Sequence, residues 1–179
     1  MKYPAKNVTV PKRLQNFGNG KLPDNVLRKV KCGGRMFVRA AEDFDDLYNA
    51  ALGAGIELVN IGDYRSYEAQ KALFEQRYSK RDEGRKPSVT RVVDGVTYWL
   101  RKGMSPSSSP GRSNHGFGLA IDLGERVSGK TVPLAGKTLK WMCENAPTYN
   151  FFLQSSDPKS AEFEAWHWQW CKPSGEQDS

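Results

Sequence analysis

The chain has 179 residues, with 27 Lys and Arg against 20 Asp and Glu, a formal net charge of +7 and three cysteines. That length fits one domain able to bury a core without disulfide or metal staples, and the composition is globular rather than disordered or fibrous. No apolar run is long enough to span a membrane and no secretory signal opens the chain, while the basic balance favours anionic partners: nucleic acid, acidic lipid or anionic wall polymer.

Residues 1–24 are polar and carry Pro4, Pro11, Pro23, Gly18 and Gly20, which reads as an extended arm wrapping the domain. From Ala40 onward Phe44, Leu47, Tyr48, Ala51 and Leu52 recur at helical spacing, and Gly53 and Gly55 end the run. The stretch IELVNIGDYRS, residues 56–66, reads as a buried strand. Ser66 can cap a second helix running to about Tyr78, with Leu73, Phe74 and Tyr78 available for the core. Between Lys80 and Arg112 the chain is basic and rich in breakers, with GVTYWL as a hairpin strand. This segment reads equally as a surface insertion or as a mobile flap leading into residue 113. GLAIDLG, residues 118–124, is a strand; a helix near 136–146 and a strand around 151–154 follow. The domain proper is expected over 25–171, with a short polar tail at 172–179.

Cys32, Cys143 and Cys171 lie far apart and form no C-x-x-C pair, which argues against a cysteine zinc site and leaves each as a small buried hydrophobe. The histidines are more informative, because there are only two. His115 precedes the strand 118–124, in which Leu119, Ile121 and Leu123 share one face while Gly118, Ala120 and Asp122 share the other. Asp122 therefore has space around its carboxylate. His167 lies in FEAWHWQW, three residues after Glu164. Two histidines and one carboxylate are an ordinary protein ligand set for catalytic zinc, with a fourth position open. Glu164 is then free to act as general base. On a regular strand Glu164 and His167 would face opposite sides, so Glu164 must lie before the strand or at a bulge. Simpler readings stand beside this one: a capped turn with a hydrogen-bonded Asp122, and Trp166, Trp168 and Trp170 as core ballast.

Three motifs together carry a resemblance. Ser113, His115, Gly118, Ala120 and Asp122 form S-x-H-x-x-G-x-A-x-D; Glu164, Trp166 and His167 form E-x-W-H; and DYRSYEAQ supplies Arg65, Ser66 and Gln70. In this order, over residues 20–171, they resemble the M15 group of zinc peptidases: the VanY-type D-Ala-D-Ala carboxypeptidases and the L-alanyl-D-glutamate endopeptidases of phage endolysins. The resemblance implies an α+β fold similar to the hedgehog N-terminal domain, with a central, mainly antiparallel sheet flanked by helices. It implies one zinc ion per chain on His115, Asp122 and His167, Glu164 as catalytic base, and Arg65 as stabiliser of charge on the scissile carbonyl oxygen. Ser66, Gln70, Ser113 and Trp166 are the substrate contacts it suggests. Ala165 stands where Pro is frequent in the group, and Trp170 where Tyr is frequent.

The expected function is hydrolysis of the peptidoglycan stem peptide by a monomeric enzyme, with neither nucleic-acid binding nor stable membrane insertion. Endopeptidase cleavage by a phage endolysin, held in the host cytoplasm until release to the wall, is the first expectation. D-Ala-D-Ala carboxypeptidase activity is the alternative, and a non-catalytic zinc-containing binding module is a third.

Overall fold

Leu119, Ile121 and Leu123 are fully buried, so the alternation in GLAIDLG does set one strand face against the core. The computed structural model describes residues 1–160 and 162–172; the polar tail expected at 172–179 lies, from residue 173 on, outside them. In chain order the elements are α1 (Lys12–Gln15), β1 (Leu27–Lys29), β2 (Arg35–Phe37), α2 (Val38–Gly53), β3 (Leu58–Gly62) and α3 (Tyr67–Arg77). There follow β4 (Tyr78–Ser79), β5 (Thr90–Val93), β6 (Val96–Leu100), β7 (Ala120–Val127), β8 (Lys130–Pro133), α4 (Gly136–Asn145), β9 (Phe151–Phe152) and β10 (His167–Trp170). The fold is mixed α/β around a central antiparallel sheet, in line with the α+β reading.

That sheet runs β3-β7-β10-β9, with β8 paired to the far end of β7, and every pairing is antiparallel. The apolar face of α2 (Ala40, Ala41, Phe44, Leu47, Ala51) packs with Leu139, Met142 and Cys143 of α4 and with Trp168, Trp170 and Phe151 of the sheet. Trp168 and Trp170 are thus core, as the simpler reading held. Leu52, counted in the same helical pattern, turns to solvent. The strand expected as buried over 56–66 is shorter and half-buried: β3 lies at the sheet edge, only Leu58 is buried, and Ile61 is 55% exposed.

The arm is not wholly extended. Ala5 bridges Leu153, and α1 buries Leu14 in the main core. Phe74 and Tyr78, expected in that core, instead form a second one with Leu100. It supports a small sheet, β4-β6-β5, so the basic segment 80–112 contains a packed hairpin. Phe74 stacks on Tyr78 and meets Tyr98 edge-on.

Trp170 is 2% exposed, and its indole Nε1 donates to Asp43 Oδ2 at 2.6 Å. Asn150 Nδ2 donates to the same oxygen at 2.8 Å, so Asp43 ties α2 to β10 and to the turn before β9. Asp43→Ala should strand a buried indole N–H and lower stability by about 1–3 kcal/mol, read as a shift in the urea midpoint. Asp43→Asn, which keeps an acceptor oxygen, should cost less.

Candidate active site

In the β7–β10 ladder Asp122 stands directly opposite His167. Directly opposed residues of an antiparallel pair project to the same face as neighbours. The sheet therefore sets the His167 ring against the Asp122 carboxylate, with Nδ1 2.8 Å from Oδ1. On the other side of β7, Gly62 faces Asp122 so closely that a Cβ there would lie 2.8 Å from Asp122 Oδ2. His115 comes from a 3-10 turn, Asn114–Phe117, that runs into β7. Gly118 closes this turn at φ +64, and a Cβ on it would lie 2.6 Å from the Phe37 nitrogen, so both backbone conformation and space demand glycine. The turn carries His115 Nε2 to 3.3 Å from Asp122 Oδ1.

His115 Nδ1 lies 2.9 Å from the Asp63 carbonyl oxygen. A carbonyl only accepts, so Nδ1 carries a hydrogen and Nε2 is the ring atom that faces Asp122, the one left to bind a metal. The Arg65 amide donates to the His115 carbonyl at 3.1 Å, zipping segment 63–65 onto the turn. The result is two imidazole nitrogens and a carboxylate oxygen, all within 4.8 Å of one another and largely buried. Without a metal the two rings hydrogen-bond the carboxylate; with one, the same three atoms offer lone pairs to a single point. The donors match a three-ligand zinc site with one position left over, and a carbonyl on the far ring nitrogen is the usual device for orienting such a histidine. A tetrahedral zinc site has donor–donor edges of roughly 3.3–3.4 Å; His115 and Asp122 stand 3.3 Å apart, while His167 and Asp122, at 2.8 Å, stand at hydrogen-bond distance. These residues fit the metal.

Glu164 lies before β10 rather than within it; its carbonyl accepts from the His167 amide at 3.0 Å in a turn. That resolves the odd spacing and puts Glu164 beside the three donors, in the wall of a cavity of about 300 Å³ that His115, Asp122 and His167 also line. Burial pushes the Glu164 carboxyl up, against the opposing pull of His167. Arg65 lines the same cavity, and burial lowers its pKa. Its Nη1 donates to Gln70 Oε1 at 2.9 Å, and buried Gln70 donates onward to the Ser108 carbonyl at 2.7 Å. Gln70 is therefore the bracket that holds Arg65 to the loop roofing the site. Ser113 is buried in the cavity wall, and Trp166 stands at its mouth, 41% exposed. Ser66 is placed differently from the expectation: it is exposed and outside the cavity lining, and its hydroxyl caps α3 by accepting from the Ala69 amide at 3.2 Å.

Three contributors escape the motif reading. Arg77 lies seven residues after Gln70, about two turns along α3, and lines the cavity while its Nη1 donates to the Pro106 carbonyl at 3.1 Å. That helical spacing was the available signal. Ser107 lines the cavity too, and its buried Oγ has no hydrogen-bond partner among the described residues. Asp63 acts through its main-chain oxygen, which no side-chain pattern reveals.

Burial alone would raise the Asp122 carboxyl, but hydrogen bonds and positive charge from His115 and His167 outweigh it and hold its pKa well below the usual carboxylate range. A depressed carboxyl contributes stability that is present above its unfolded value, near pH 4, and lost as pH falls through the range below. Metal-free protein should therefore lose stability as pH drops below about 4, and metal-free Asp122→Asn should lose distinctly less. Urea midpoints across that range test this; equal slopes would contradict it.

Comparisons with known proteins follow the same residues. The family model for VanY, D-alanyl-D-alanine carboxypeptidase, matches residues 34–173. The putative carboxypeptidase YodJ of Bacillus subtilis (strain 168) is 31% identical over 135 residues, covering 72% of this chain and 43% of that protein. A D-alanyl-D-alanine carboxypeptidase of Enterococcus faecalis (strain ATCC 700802 / V583) is 24% identical over 153 residues, covering 82% and 52%. The chain thus spans about half the length of the curated relatives it matches. The solved structure of a vancomycin resistance D,D-pentapeptidase VanY mutant in complex with Zn(II) superposes with a TM-score of 0.57 at 20% identity, covering 84% of this chain and 83% of that one. With the family match running through the β2 strand, the Arg65 segment and every donor of the site, the chain belongs to the VanY D-alanyl-D-alanine carboxypeptidase family.

Proposed function

We propose that the protein is a zinc-dependent D-Ala-D-Ala carboxypeptidase, removing the C-terminal residue from stem peptides of bacterial peptidoglycan. One observation carries the reading: two histidines and an aspartate converge in a cavity that also holds a buried carboxylate, Glu164, and a fixed guanidinium, Arg65. A structural metal site has no need of either. The carboxypeptidase names of the relatives favour this reaction over the endolysin-type endopeptidase cut. So does Arg77 on the cavity wall, where positive charge attracts a free C-terminal carboxylate.

A zinc ion held by His115, Asp122 and His167 supplies a Lewis acid and lowers the pKa of water towards neutrality. The protein's own groups do the rest. Glu164 accepts the proton of the attacking water and delivers it to the leaving amine. Its place in the cavity wall beside the three donors suits it to both tasks. Arg65, locked by Gln70, donates to the oxygen of the scissile carbonyl as negative charge develops there. Asp63 keeps the His115 ring in the tautomer that leaves Nε2 free.

Digestion of purified muropeptides, followed by mass analysis, tests the reaction. Loss of one terminal residue is expected; a cut inside the stem would favour the endopeptidase. Glu164→Gln should retain about one zinc per chain by metal analysis while turnover falls by roughly 10²–10⁴-fold. Loss of zinc in that variant would make Glu164 a ligand. In the active enzyme kcat/KM should fall on the acid side, because Glu164 must be ionised to accept the proton. Arg65→Ala should keep zinc and fold but lose about a hundredfold or more in kcat. Arg65→Lys should restore only part of it. Unchanged turnover in Arg65→Ala would exclude the oxyanion role.

A further inference from the structure

The N-terminal arm precedes the family match at residues 34–173, yet it reaches the turn that carries His115. Asn19 Nδ2 donates to the Ser113 carbonyl and the Gly20 amide to the Gly116 carbonyl, both at 2.7 Å. Gly20 in turn accepts from the amide of Tyr67, the first residue of α3, at 2.9 Å. The Leu22 amide donates to the Tyr64 hydroxyl at 3.1 Å. The fit is close. A Cβ on Gly116 would lie 2.2 Å from Asn19 Oδ1, and one on Gly20 would lie 2.3 Å from the Tyr67 nitrogen. Gly20 also takes φ +79, so only glycine lets the arm cross here.

The turn needs such support. It is a 3-10 turn of four residues, Asn114–Phe117, and 3-10 hydrogen bonds are poorly aligned, so a short run holds its shape weakly by itself. The Asp63 carbonyl fixes the His115 ring at Nδ1. Where the ring sits is then set by the main chain on either side of it. The Ser113, His115 and Gly116 carbonyls each accept from outside the turn: from Asn19, from the Arg65 amide and from Gly20. The arm thus supplies two of these three bonds. Ser113 and Gly116 are buried, so a carbonyl that loses its donor there is not readily rehydrated. The turn would shift to recover a partner, and His115 Nε2, 3.3 Å from Asp122 Oδ1, would move with it.

We propose that Asn19 is a positioning residue for the metal site: through the Ser113 carbonyl, with Gly20 beside it, it holds the His115 turn in the pose that binds zinc, so that docking of the arm and binding of zinc strengthen each other. The proposal rests on the zinc reading of His115, Asp122 and His167. Asn19 does not line the cavity of the three donors, so it acts through the turn and not by touching metal or substrate. Contacts that orient a metal ligand from behind are worth about 10–100-fold in metal affinity. The coupling is reciprocal: whatever affinity the docked arm adds for zinc, zinc adds to the docking of the arm.

Zinc affinity, measured by competition with a chromophoric chelator, tests this without recourse to turnover. Asn19→Leu, similar in size but without a donor, should bind zinc about tenfold more weakly than the wild type, and its cobalt-substituted form should show a shifted visible band. Asp43→Ala, which lowers stability from the far side of the sheet, should keep the wild-type affinity and band. Wild-type affinity in Asn19→Leu, or an equal loss in Asp43→Ala, would overturn the positioning role. Should Asn19→Leu fail to fold, hydrogen exchange on the wild type decides: zinc should slow exchange of the Gly20 amide about tenfold more than that of the Ala54 amide at the end of α2. Equal slowing of the two would overturn the role. A wild type that binds no zinc would refute the metal reading, and the positioning role with it, a result distinct from each of the others.

Discussion

The short cross-strand contact between Asp122 and His167 is the constraint on which the rest of the site depends. Register fixes it: a slip of one residue between β7 and β10 would turn one of the two side chains to the opposite sheet face. That register is in turn held by the core, because Leu119, Ile121 and Leu123 on one strand and Trp168 and Trp170 on the other fill the far side. Packing on one face thus sets chemistry on the other. His115 is added from a tight turn whose geometry needs Gly118, and Asp63 and Arg65 pin it from the segment after β3.

This arrangement gathers negative charge and lone pairs into a largely buried space within a chain of net charge +7. The surrounding residues compensate. Arg65 and Arg77 line the cavity, and both are tied to the loop above it through Gln70, Ser108 and Pro106. A basic rim around an anionic donor set favours anionic ligands without neutralising the donors themselves. The hairpin between α3 and the 3-10 turn extends this design outwards. It is neither a bare surface loop nor an unstructured flap: it has its own apolar core, and its tip walls a second polar cavity beside the first.

Much of this was legible in the sequence, and for physical reasons. With only two histidines in the chain, each beside a carboxylate, few ligand sets were possible, and strand alternation separated Asp122 from the apolar face of β7. Helical spacing found α2 but could not tell that its last leucine, Leu52, would face solvent, since that depends on which element lies opposite. The burial of β3 was overread because an apolar run does not reveal whether its strand lies at a sheet edge. Ser66 shows a similar limit. Its cap role follows from local pattern, whereas a substrate role depends on where α3 lies relative to the cavity. Main-chain contributors such as the Asp63 carbonyl leave no trace in side-chain patterns. The split of the apolar residues into two cores is equally invisible, because it is decided by the hairpin pairing of β5 with β6.

The chemistry of the site stands on the identity of the three donors. Zinc K-edge absorption of protein loaded with one equivalent of zinc, compared with the same preparation of His167→Ala, reads them directly. The prediction is a site of nitrogen and oxygen ligands at about 2.0–2.2 Å, with two imidazoles in the wild type and one fewer in the variant. Sulfur ligands at about 2.3 Å, or a spectrum unchanged by the loss of His167, would place the metal elsewhere and contradict the account.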